Sequence, residues 1–124
     1  MTGLSWPQRA ALCLGVLLTA WGLADTVWLG GTALGVFHLV TGVLVGLSAV
    51  RTKIARGMGV LMGVVFLSTF ALGASESGSV LDAGVLGNVL HLLAGFAFVA
   101  VAESCAWCAL RDRPTGNRTH HRLS

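Results

Sequence analysis

The chain has 124 residues, of which 55% are hydrophobic and 10% charged, with a formal net charge of +3; soluble domains carry about a quarter charged residues. This composition excludes water as the solvent for most of the surface. The basic residues lie in short clusters beside apolar runs, not along a polar face with interleaved aromatics, which excludes nucleic acid as a partner and leaves the lipid bilayer.

Crossing a hydrocarbon core takes roughly 17 to 25 helical residues. Four runs reach that length, at about 7–24, 31–50, 56–73 and 84–108, and residues 1–110 therefore read as one four-helix transmembrane domain. The first run starts after Trp6 and carries Arg9. Its small residues Gly22 and Ala24 also fit the end of a secretory signal peptide, but an internal repeat gives this helix a counterpart and favours its retention. A connection over 25–30 holds Asp25 and Trp28.

The second run presents Gly31, Gly35, His38, Gly42, Gly46 and Ala49 at three- or four-residue spacing. Small residues in such a stripe let helix backbones approach closely in lipid, within one chain or between two copies. Arg51, Lys53 and Arg56 surround the next connection, and the third run opens with Gly59 and Gly63 four residues apart. The more polar stretch 74–83 carries Glu76 and Asp82, the latter placed to cap the fourth helix. That helix continues the packing stripe with Gly84, Asn88, His91 and Gly95 until Phe98 and Val99 interrupt it. Glu103 sits near its inner end, where it is expected to snorkel or to pair with nearby arginine or lysine. The tail 111–124 is polar, basic and expected to be disordered.

Arg9, Arg51, Lys53, Arg56 and the arginines of the tail all fall on one side of this arrangement, while Asp25, Glu76 and Asp82 fall on the other. The positive-inside bias then places both termini in the cytoplasm, with Trp6, Trp28 and Trp107 at the two interfaces. The single lysine, the single isoleucine and the absence of tyrosine suit a GC-rich bacterial genome.

Residues 35–42, GVFHLVTG, match residues 88–95, NVLHLLAG, through a shared His-Leu-x-x-Gly core. Helices 1 and 3 correspond less well, through Gly15-Val16 and Gly63-Val64. The expected fold is all-α, a four-helix membrane bundle of two parallel helical-hairpin repeats about an axis along the membrane normal. The doubled motif, with the Ala-Arg-Gly-Met-Gly-Val stretch at 55–60, resembles a family of small four-helix bacterial membrane proteins classed as a domain of unknown function. That resemblance implies an inner-membrane location and a four-helix fold, and no catalytic residue.

An ionisable residue within a membrane helix marks a functional candidate, because exposing it to lipid is costly. His38 and His91 lie on the packing stripes and are expected to face protein. Such a pair can hold haem iron or a metal ion, relay protons, or bond to a carbonyl or a hydroxyl such as Thr41 and simply join helices. No carboxylate shares their stripes, and Asn88 is the nearest polar side chain in sequence to His91. Cys105 and Cys108 form a CxxC pair which, with His120 and His121, has the ligand count of a zinc site. Their position at a helix C-terminus disfavours thiolate, so they are expected to be reduced apolar filler, and no structural disulfide is expected. The expected role is non-enzymatic, that of a packing or interaction partner in a membrane assembly, with no cofactor. A haem- or metal-binding redox protein using His38 and His91 is the alternative, and a small transporter or channel is the third.

Overall fold

In the computed structural model the structure describes residues 3–28, 32–76 and 78–111, with side chains as far as 103. Four helices follow in order: α1 (Trp6–Trp28), α2 (Ala33–Ser48), α3 (Thr52–Ser75) and α4 (Gly84–Arg111). Three of them, α1, α3 and the described part of α4, are long and apolar enough to cross a membrane; α2 is shorter, at 16 residues.

The boundaries differ from the sequence expectation in two places that matter for the site. No helix breaker follows Ala24, so α1 continues a further turn to Trp28 and takes Asp25 out of the expected loop. α2 starts later than expected, at Ala33, because Thr32 is extended at ψ 150° and its hydroxyl accepts from Gly35 N at 3.0 Å. Its other end closes after Ser48, where Ala49 N donates to Gly46 O at 3.2 Å. Gln8 Nε2 donates to Ala49 O at 2.9 Å, and Ser5 Oγ meets Thr52 Oγ1 at 3.0 Å, so the start of α1 is fastened to the turn between α2 and α3.

Within each hairpin glycines let the helices approach closely, and between α1 and α2 they touch backbone to backbone. A Cβ on Gly15 would lie 2.6 Å from Gly46 N, one on Gly42 would lie 2.5 Å from Thr19 N, and one on Gly22 would strike the backbone of Leu39. These contacts pair the end of α1 with the start of α2 and the reverse, an antiparallel hairpin. α3 and α4 also pack closely, mainly against side chains: a Cβ on Gly59 would sit 3.1 Å from Phe98 O, one on Gly63 2.8 Å from Val99 Cγ2, and one on Gly95 2.7 Å from Leu67 Cγ. Helices lacking a hydrophobic force between them gain stability through this close approach.

The small-residue stripes of the sequence need three amendments. Gly31 lies outside the described residues. At Gly46 the direction a side chain would take is open, and this residue serves as the surface against which Gly15 lies. Gly84 does not pack at all: its surroundings are open and its φ is +71°, so it is required by the left-handed backbone that opens α4. Gly15, Gly22 and Gly73 belong to the contact surfaces and were not on the expected stripes.

Between the hairpins the core is made by side chains, chiefly Val45, Met62, Phe66 and Phe98, with Ala11, Ala49 and Ala55 at its edge. The outward faces of all four helices are apolar, as at Val16, Leu47, Val64 and Phe96. Charge is segregated along the bundle. Lys53, Arg56 and Glu103 line a cleft of about 420 Å³ at the end fastened by Gln8, without an ion pair at Glu103 among the described residues. Asp25 and Asp82 lie together at the other end.

Candidate functional site

His38 is carried by α2 and His91 by α4, on helices whose backbones do not pack against each other. Their side chains cross that gap. Nε2 of His38 lies 3.1 Å from Nε2 of His91, and the residues are 7% and 3% exposed, so each ring is more than nine-tenths buried. At this distance one nitrogen donates and the other accepts, so the accepting ring is neutral with its own proton on Nδ1. Phe66 of α3 underlies the pair, stacked on His38 at 6.2 Å between ring centroids and tilted against His91 at 5.8 Å. Phe37 and Phe98 extend the aromatic layer around Phe66.

A carboxylate does reach the pair, contrary to the expectation from the stripes. Asp25 Oδ2 stands 3.7 Å from His38 Nδ1 because the extra turn of α1 lays Asp25 over Gly35 of α2, where an added Cβ would lie 2.9 Å from Asp25 Cβ. The separation exceeds hydrogen-bond length. Nδ1 of His38 and Nδ1 of His91 therefore both have no hydrogen-bond partner. Thr41 is not a partner for either ring, since its hydroxyl donates to Phe37 O at 2.8 Å within its own helix. Asn88 does not reach His91 either; its Nδ2 donates to Asp82 Oδ1 at 3.3 Å, and its Oδ1 is turned toward Gly73.

Asp82 organises the entrance to α4. It is not the residue next to the helix, yet its carboxylate accepts from Gly78 N at 2.9 Å and Gly84 N at 2.9 Å, one oxygen for each. These two amides, with a smaller contribution from Asn88, hold its carboxyl below the ordinary carboxylate value. The capping expectation thus becomes a clamp on the loop and the first amide of α4.

A cleft of about 700 Å³ runs between α1 and α4 beside this pair. Asp25, Thr32 and Asp82 line its outer end, His38, His91 and Trp21 its middle, and Leu14, Ala97 and Phe98 its depth. Trp21 and the cleft had no signal in the sequence, because both arise from how the hairpins meet.

Metal-nitrogen bonds are near 2.0 to 2.1 Å, so nitrogens 3.1 Å apart would subtend roughly a right angle at a bridging ion. Asp25 stands behind the opposite nitrogen of His38 and does not converge on that point. Among the described residues no group of three His, Cys, Asp or Glu side chains could hold a metal ion. Axial haem ligands lie about 4 Å apart across the iron, from the same bond length; these rings meet directly, with no gap for a porphyrin. Cys105, Cys108, His120 and His121 lie outside the described side chains, while Cys13 is free and exposed on the face of α1. No family model, curated protein or solved structure matches the chain, so the resemblance drawn from the doubled motif stands on those residues alone.

Proposed function

We propose that the chain is a four-span protein of a bacterial inner membrane, built from two parallel hairpin repeats, that acts without catalysis as a packing or interaction partner in a membrane assembly. The observation that carries the reading is the direct Nε2 to Nε2 contact of His38 and His91, which spends the two intramembrane imidazoles on joining the hairpins. Their Phe66 platform and the apolar core beneath give no polar route onward, and the buried hydroxyls of Thr41, Ser48 and Thr69 bond to their own helices. This weighs against a proton relay across the bilayer.

Although α2 spans only about 24 Å at the helical rise, its antiparallel packing along α1 returns the chain to the end where it began, and local thinning or tilt absorbs the mismatch. The segregation of Lys53 and Arg56 from Asp25 and Asp82 supports cytoplasmic termini. An impermeant thiol reagent applied from outside should label a cysteine at position 76 and not at position 53; the reverse pattern would overturn the orientation. Native mass spectrometry of the protein released from its membrane tests the role. A stoichiometric complex with a second copy or another membrane protein, without haem or metal, is expected. A monomer carrying haem or a metal ion would replace this reading with the redox one.

A further inference from the structure

Asp25 is a carboxylate without a full counter-ion. Its side chain is 17% exposed, its nearest charged or titratable partner is His38 at 3.7 Å, and no lysine or arginine among the described residues lines the cleft it faces. Arg9, Arg51, Lys53 and Arg56 belong to the opposite end of the bundle. Asp25 also lies in the last turn of α1, where the outward carbonyls add negative potential. Asp82 contributes a second carboxylate to the same mouth. A carboxylate so largely buried is costly unless it is paired.

The cleft supplies the rest of a binding site. It descends from Asp25 to Leu14 along α1, roughly 16 Å at the helical rise. Its walls there are Leu17, Leu18, Trp21, Leu86 and Leu90. Two imidazoles in its wall, His38 and His91, are more than nine-tenths buried and each has an Nδ1 without a hydrogen-bond partner. The carboxylates of Asp25 and Asp82 thus gather at the outer end, and hydrocarbon-like surface fills most of the remainder, as is usual for small-molecule sites.

We propose that this cleft binds an amphiphile with a protonated amine head and an apolar chain, the ammonium sitting on the Asp25 carboxylate with the chain running down between α1 and α4. The ammonium donates to the Asp25 carboxylate at the outer end of the cleft, and the contact between His38 and His91 that joins the hairpins is left as it is. A negative head is opposed by both carboxylates, and a neutral alcohol gains no charge attraction. This goes beyond the packing role and does not depend on which face of the membrane the cleft opens toward.

The test uses the full chain in phosphatidylcholine nanodiscs at neutral pH, with Trp6, Trp28 and Trp107 replaced by Phe so that fluorescence reports Trp21. Dodecylamine, dodecyltrimethylammonium and dodecanol share one chain and differ in head, and empty nanodiscs give the partitioning background. Dodecylamine should produce a saturable change at least tenfold tighter than dodecanol, with the trimethylammonium compound between them because it keeps the charge and lacks the donors. Asp25→Asn should abolish the preference for the amine, and Asp25→Glu should retain it. Equal responses to amine and alcohol, an unsaturable response, or undiminished amine binding in Asp25→Asn would each overturn the proposal. Should Asp25→Asn fail to fold, the amine-to-alcohol comparison on the unaltered cleft decides alone.

Discussion

The contacts inside each hairpin and the contact between hairpins are built from different materials. α1 meets α2 through glycines at which a methyl group would collide with the opposing backbone, while the glycines between α3 and α4 lie closest to the side chains of Leu67 and Val99 and to Phe98 O. The hairpins meet each other through side chains, with Phe66 and the His38–His91 pair at the centre and an open cleft alongside. A backbone-to-backbone interface tolerates no added atom, whereas a side-chain interface can lose one contact and adjust. The first fixes the hairpins as units, and the second leaves room between them.

Substitution at the glycine contacts should give the largest effect. Gly22→Leu forces a side chain into the backbone of Leu39, and overpacking of this kind costs about 1–3 kcal/mol, with more where backbone must move. Loss of the folded hairpin in thermal or denaturant unfolding is expected. Gly57→Ala is the contrast, since nothing lies within 4 Å of the added atom, and stability there should hold or rise by up to about 1 kcal/mol through helix propensity. If both substitutions behaved alike, the close-packed hairpin would be wrong.

A smaller effect is expected between the hairpins. Replacing His38 and His91 by Leu singly and together should give a coupling of about 0.6 kcal/mol, and no more than about 1.7, the range for hydrogen bonds between membrane helices. Zero coupling in the double-mutant cycle would mean that the imidazoles do not support each other.

The smallest concerns the loop before α4. Asp82 has a folded pKa below its ordinary value, so its contribution to stability is present above the unfolded pKa and is lost as pH falls through the folded one. Stability should therefore decline in acid in a way that Asp82→Asn flattens, and a variant as acid-sensitive as the parent would remove Asp82 from the clamp. Because the carboxylate is fully exposed, the change should be slight.

The four helices and the stripe glycines Gly35, Gly42, Gly59, Gly63 and Gly95 are legible in the sequence, because a three- or four-residue repeat of small residues is a local pattern that close helix packing requires. His38 and His91 are conspicuous there as ionisable residues in apolar runs. Asp25 reads as a loop residue, since nothing local distinguishes a helix that stops at Ala24 from one that runs to Trp28. The partnership of the histidines with each other, instead of with Thr41 or Asn88, depends on the angle at which two hairpins meet. No spacing along the chain encodes that angle, and the cleft beside Trp21 follows from it.

The two imidazoles touch each other with nothing between them. Nitrogen-15 NMR of histidine-labelled protein in nanodiscs, recorded with a visible spectrum and metal content of the same sample, reads this directly. Two neutral rings in complementary tautomers, with the His91 signal shifting on His38→Gln and no haem band or stoichiometric metal, are predicted. Metal-shifted or haem-ligated imidazole signals that vanish on His38→Gln would contradict it.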